Sequence, residues 1–187
     1  MRLLIMGPPG AGKGTQASQI ARRLEIPAIS TGEILRANVQ ERTALGEQAA
    51  RYLDAGELVP DDLINAMVRS RLAEPDTRKG FLLDGFPRTV AQVDTLDKIL
   101  ADQGVALDKV LVLHVDQDEL IQRLLGRAKQ EGRSDDTEEV IRRRLEVYRE
   151  QTEPLLEIYG QRGLRVDIDG MGDVSEVTDR VVAALES

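Results

Sequence analysis

The run Gly7-Pro8-Pro9-Gly10-Ala11-Gly12-Lys13-Gly14-Thr15 constrains this chain more than any other segment. It follows directly on the short apolar run Leu3 to Met6 and leads into Thr15 to Leu24, where apolar residues recur at helical spacing. A glycine-rich turn between a strand and a helix is the setting of a phosphate-binding loop. Its glycines let the backbone curl until successive N–H groups point inward, the helix N-terminus adds partial positive charge, and Lys13 reaches the phosphates. Gly14 stands where the commoner pattern has Ser or Thr, which leaves Thr15 as the nearest hydroxyl for a phosphate or Mg²⁺. Nucleotide binding follows from this loop; the reaction does not.

Further short apolar runs lie at Phe81 to Leu83, Val110 to Val115 and Leu164 to Ile168, with a shorter one at Pro27 to Ser30. The first three are bounded by glycine or charge and, like Leu3 to Met6, read as buried parallel strands; Pro27 to Ser30 reads as a shorter fifth strand. Helical patterns fall between them at Leu63 to Leu72, Val90 to Leu100 and Leu120 to Leu125. This alternation predicts an α/β fold with a parallel sheet and helices on both faces. At 187 residues the chain suffices for one core domain with small insertions.

Two stretches break the rhythm. Residues 31 to 59 hold two helical patterns and the turn-like Ala55-Gly56-Glu57 but no strand, and Gly126 to Asp136 is polar without an apolar period. Both are expected to be mobile elements over a site, although the second also reads as a plain solvated loop.

Composition removes several chemistries. The chain has no cysteine, hence no disulfide, thiolate metal site or cysteine nucleophile. Its one histidine, His114, lies inside an apolar run and reads as a strand-end residue without chemistry. A formal charge of −8 opposes general binding to nucleic acid or anionic lipid, so an anionic ligand must meet a local cluster of Arg and Lys. No apolar run approaches the roughly 18 residues that span a bilayer, and the N-terminal residues lack the pattern of a signal peptide, so the chain reads as cytoplasmic.

A phosphate loop serves switches, motors and kinases alike, and a second site must choose among them. The third strand ends in Leu83-Asp84-Gly85-Phe86-Pro87-Arg88. Asp84, at the carboxyl end of a strand beside the loop, is placed to hold Mg²⁺ through water, and Arg88 to meet a phosphate. Taken alone, Asp84 reads equally as a helix cap and Arg88 as a surface charge. Gln92 has its own plain reading, since Thr89-Val90-Ala91-Gln92 fits a capping box.

Together with the loop, Ser30-Thr31-Gly32-Glu33, Gly56-Glu57-Leu58-Val59-Pro60, Asp84-Gly85-Phe86-Pro87-Arg88 and Arg133-Ser134-Asp135-Asp136 resemble adenylate kinase motifs, in that family's order and from the first strand to the last helix. The resemblance implies the P-loop nucleoside monophosphate kinase fold with a five-stranded parallel sheet. It implies an AMP-binding insertion at residues 30–59 and a lid at residues 126–136. It implies that Thr31, Arg36, the backbone of Glu57, Leu58 and Val59, then Gly85, Phe86, Pro87, Arg88 and Gln92 hold AMP. ATP would lie on Gly10, Ala11, Gly12, Lys13, Gly14 and Thr15, with Arg123, Arg127 and the backbone near Gly172. Arg133 and Arg144 would close on the phosphates and share catalysis with Lys13 and Arg88. Arg142 and Arg143 are given no part.

Only five residues, Ala128 to Gly132, separate Arg127 from Arg133, and no cysteines are present for the zinc site of some relatives, so the chain resembles the short-lid form. The implied reaction moves the terminal phosphate of Mg·ATP onto AMP to give two ADP, in a monomer, without a general base. A UMP or CMP kinase differs only in the acceptor-base pocket and stays open at this point, as does, more distantly, a non-enzymatic nucleotide switch.

Overall fold

The computed structural model describes residues 1–133 and 137–187. Five strands are present: β1 (Arg2–Met6), β2 (Ala28–Ser30), β3 (Phe81–Asp84), β4 (Lys109–His114) and β5 (Arg165–Asp169). They form one parallel sheet in the order β2-β3-β1-β4-β5. Side chains alternate across a strand, so Leu4, Met6, Phe81, Leu83, Val110 and Val112 feed one apolar layer. Leu3, Ile5, Leu82, Leu111 and Leu113 feed the other. None of these is more than 4% exposed, which is why the central strands are apolar without a break.

The first layer is covered by α2 (Thr31–Gln40), α3 (Ala44–Ala55), α4 (Asp61–Leu72), α5 (Val90–Asp102) and α8 (Leu155–Gln161). The second is covered by α1 (Lys13–Leu24), α6 (Gln117–Glu131), α7 (Glu138–Val147) and α9 (Val174–Glu186). Helices therefore lie on both faces, as expected. The core is mostly aliphatic, with Phe81, Phe86 and Tyr159 as its buried aromatics: Leu83, fully buried between β1 and β2, contributes about 2 kcal/mol by leaving water. The chain leaves central β1 toward β2 on one side, whereas β4 and β5 lie on the other. The strand order thus reverses at β1, and a crevice opens at the carboxyl ends of the strands there.

Residues 31 to 59 fold into α2 and α3, and Gly56 ends α3 in the left-handed conformation. The reading of Gly126 to Asp136 as an irregular loop needs correction for Gly126 to Glu131. Gly126 to Glu131 form the last turns of α6, closed by Gly132 with φ 61°. These residues lack an apolar stripe because Gly126, Lys129, Gln130 and Glu131 face solvent and only Arg127 and Ala128 are half-buried, while Arg127, Ala128, Lys129, Gln130 and Glu131 are good helix formers. Ser134, Asp135 and Asp136 of the expected lid motif lie outside the described residues. Edge strand β5 is less apolar than expected, with Asp167 and Asp169 exposed. Among the described residues no helix is long and apolar enough to cross a membrane.

Candidate functional site

The phosphate loop joins β1 to α1. Gly10 has φ 86°, and a Cβ there would come within 2.9 Å of both the Leu120 carbonyl and the Leu124 side chain, so only glycine lets the loop pass under α6. Gly12 caps α1 with φ 90° and no side-chain bond, leaving the first N–H groups of the helix open to an anion. Arg123 of α6 fixes the far side of the loop. Its guanidinium donates to Ala11 O at 3.3 Å and to Gly170 O at 3.2 Å, and its Nε to Glu119 Oε1 at 2.9 Å. Gly172 follows in the same turn after β5, with φ 98°. Arg123 thus joins the phosphate loop to the segment containing Gly172, the two parts expected to flank ATP.

Lys13 Nζ donates to Pro8 O at 3.2 Å. Withdrawal from water pushes its pKa down from 10.5 to about 8; Asp84 opposes this, and the charges of Arg88, Arg144 and Arg127 add to it. Three expected arginines are therefore close enough to act on Lys13. Asp84 ends β3, is 9% exposed, and points its Oδ2 toward Gly14, 3.9 Å from where a Cβ would stand.

A cavity opens beside the loop. It is lined by Lys13 and by most of the residues expected at the acceptor site: Thr31, Arg36, Glu57, Leu58, Val59, Gly85, Phe86, Pro87, Arg88, Gln92 and Arg144. Thr31 begins α2 behind the Ser30 cap, which accepts from Glu33 N–H at 3.2 Å. Thr31 Oγ1 in turn donates to Asp84 O at 3.4 Å. Gly85 has φ 92°, and a Cβ there would collide with Thr31 Oγ1. The Phe86–Pro87 peptide is cis. Arg88 is held at three points: its Nε donates to Gly85 O at 2.7 Å, its N–H to Gln92 Oε1 at 2.7 Å, and its carbonyl accepts from Thr152 Oγ1 at 2.8 Å. Gln92 does not complete the expected capping box. Thr89 caps α5, but the Gln92 side chain turns one residue upstream to Arg88 N–H and donates to Asp61 Oδ1 at 2.8 Å.

Several expected residues stand outside the cavity lining. Gly10 to Gly12, Gly14 and Thr15 lie along the loop and the start of α1, and Arg127 lies on α6 near Lys13. Arg133 is largely shielded and sits 3.8 Å from Glu131. His114 ends β4 on the far side of the loop and bonds Asp167 at 2.6 Å, away from Lys13 and Arg88.

Four contributors were not legible. Tyr148 and Thr152 belong to a π-helical turn, Tyr148–Thr152, which nothing in the local sequence marks. Asp61 is a first-turn carboxylate of α4, and no sequence motif marks it. Arg143, given no part, pairs with Glu57 through two bonds, one at 3.1 Å, and this contact holds the Glu57 carboxyl below its usual pKa. The pair ties the end of the α2–α3 insertion to the helix that carries Arg144.

Comparison with known proteins agrees with this geometry. The family model described as adenylate kinase matches residues 5–164. The chain belongs to the adenylate kinase family. It is 60% identical to a protein named adenylate kinase from Kocuria rhizophila over 99% of this chain and 98% of that one. Likeness to the adenylate kinase of a Nocardioides species is 62% over 100% and 97%, and to that of Thermobifida fusca 59% over 100% and 99%. As an adenylate kinase the chain is a nucleoside monophosphate kinase, an ATP:AMP phosphotransferase.

Proposed function

We propose that this kinase works by positioning and charge neutralisation alone, with ATP on the phosphate loop and AMP in the adjoining cavity. One observation carries the reading: Lys13 belongs to the loop and also lines the cavity that holds Arg36, Arg88 and Arg144. A phosphate on the loop and a phosphate in the cavity would therefore meet at one cationic point. ATP would rest on Gly10 to Thr15, with Arg123, Arg127 and the backbone near Gly172 at its nucleoside. AMP would rest on Thr31, Arg36, Glu57 to Val59, Gly85 to Arg88 and Gln92. Arg133 and Arg144 would close over both.

The acceptor is a phosphate oxygen whose second pKa is about 6, so at neutral pH it is already the nucleophile and needs no base. What remains is to align attacking and leaving oxygens and to stabilise charge on the transferred group. Lys13 and Arg88 supply that charge from the loop and from the end of β3, and Arg144 joins them on closure. Without phosphates the arginines oppose the Lys13 charge, adding to the larger effect of its burial, so substrates should favour a closed arrangement of α2–α3 over the cavity. Closure would exclude water and so prevent ATP hydrolysis.

Mg²⁺ fits this site as part of the nucleotide substrate. Asp84 offers one carboxylate beside the loop, and no group of three or more metal-ligating side chains occurs among the described residues. That donor set suits a hard cation bound mainly by phosphates and waters. When bound, Mg²⁺ neutralises phosphate charge.

The reading extends to a monomer in the cytoplasm, since one chain lines both nucleotide sites and the substrates are soluble. Its test is kcat/KM for AMP, GMP, CMP and UMP with Mg·ATP as donor. AMP should win by a factor on the order of 10² or more, because Gln92 and the apolar Leu58 and Val59 suit adenine. Equal or better use of a pyrimidine monophosphate would overturn the acceptor assignment.

A further inference from the structure

Gln92 is only 2% exposed, and its side-chain amide makes two bonds to groups that cannot exchange roles. Oε1 accepts from the backbone N–H of Arg88 at 2.7 Å, and Nε2 donates to Asp61 Oδ1 at 2.8 Å. A backbone N–H only donates and a carboxylate only accepts. Rotated by half a turn, the amide would set its oxygen against the carboxylate and its NH₂ against another N–H. Both contacts would be repulsive in a buried place.

We propose that Asp61 is a specificity-determining positioning residue, whose carboxylate locks the Gln92 amide in the one orientation that reads a 6-aminopurine. The proposal rests on AMP occupying the cavity that Gln92 lines. An amide oxygen has two lone pairs and an amide nitrogen two hydrogens, so after both bonds each end keeps one free site. The amide therefore presents one acceptor and one donor in fixed order. Adenine offers the complement, an N6 donor beside an N1 acceptor. Hypoxanthine and guanine reverse both groups and would need the rotated amide.

The carboxylate comes from a different element from the amide. Asp61 is the first residue of α4, Gln92 lies in the first turn of α5, and one turn further on Asn65 Nδ2 donates to Thr95 Oγ1 at 3.4 Å. This second rung holds the two helices in register, so the carboxylate arrives at the amide by helix packing. Asp61 also adds favourable charge at the N-terminus of α4, but Asp62 supplies the same charge beside it. Asp62 is thus the control that separates helix electrostatics from the lock.

The experiment compares kcat/KM for AMP and IMP, which differ only at position 6 and in the proton on N1, in the native chain and in D61N, D61E and D62N. Asparagine preserves shape but can donate as well as accept, which removes one of the two penalties on the rotated amide and leaves only the one at the Arg88 N–H. D61N should shrink the AMP:IMP ratio about tenfold, through KM for the monophosphates and with KM for ATP unchanged. D61E, which keeps an obligate acceptor, should recover part of the ratio, and D62N should leave it within about twofold. A native preference for AMP that D61N leaves unchanged overturns the lock alone. A native chain that uses IMP as readily as AMP overturns the acceptor assignment and the lock with it.

Discussion

Thr152 Oγ1 donates a 2.8 Å hydrogen bond to the carbonyl of Arg88, joining the π-helical turn after α7 to the loop that ends β3. The bond fixes the backbone from which the Arg88 guanidinium projects into the cavity. Thr152→Val keeps the shape and removes the donor. A bond of this kind contributes about 1 kcal/mol, so KM for AMP should rise about fivefold while KM for ATP stays the same. Steady-state kinetics with each substrate varied in turn would check this; an equal rise for both substrates would mean that the turn supports the whole site instead.

The Lys13 ammonium gives a pH signature. Its pKa is about 8 in the folded chain against 10.5 for an ordinary lysine, so between those values the unfolded chain binds more protons. Stability contributed by this group therefore rises with pH across that window; below about pH 8 both states are protonated and the contribution is flat. A triphosphate laid against Lys13 should lift its pKa and draw in a proton. At about pH 8.5, where the phosphates are already ionised, ATP binding should take up a substantial fraction of one proton, and at about pH 6.5 Lys13 should take up none. Calorimetry in buffers of different ionisation enthalpy measures this directly. Uptake at the higher pH that persists in Lys13→Met would assign the proton to another group.

Dependence on Mg²⁺ should be absolute, because the transferred phosphoryl charge needs a divalent cation, and among the described residues Asp84 has no acidic cluster around it that would hold one independently of the nucleotide. Excess chelator should abolish turnover, and Asp84→Asn should lower kcat on the order of 10²-fold without unfolding the chain. Full activity in chelator would contradict the role given to Asp84.

The sheet was legible because burial on both faces leaves unbroken apolar runs at Leu3 to Met6, Phe81 to Leu83 and Val110 to Leu113, and the phosphate loop was legible because its glycines answer to backbone geometry. The last turns of α6 were missed for the complementary reason: Gly126 to Glu131 bury no large apolar side chain, and such a helix leaves no apolar period. Arg36, Arg88 and Arg144 were placed in the cavity through motif resemblance, not periodicity, since an arginine on a helix looks the same whether it faces solvent or phosphate. What could not be read were contacts between distant segments. Glu57 meets Arg143 across 86 residues, Gln92 meets Asp61 across 31, and Arg88 meets Thr152 across 64. In each case the local sequence offers a plain surface or capping role, and only packing assigns the partner.

The central claim is that fixed cations stabilise charge on the transferred phosphoryl group, and Arg88→Met tests it most directly. The substitution retains the side chain's apolar length and removes its charge. Single-turnover and steady-state rates with saturating Mg·ATP and AMP should show kcat lowered by on the order of 10³ or more, with KM for AMP changed far less. A loss confined to KM, with kcat preserved, would make Arg88 a binding residue and contradict the account.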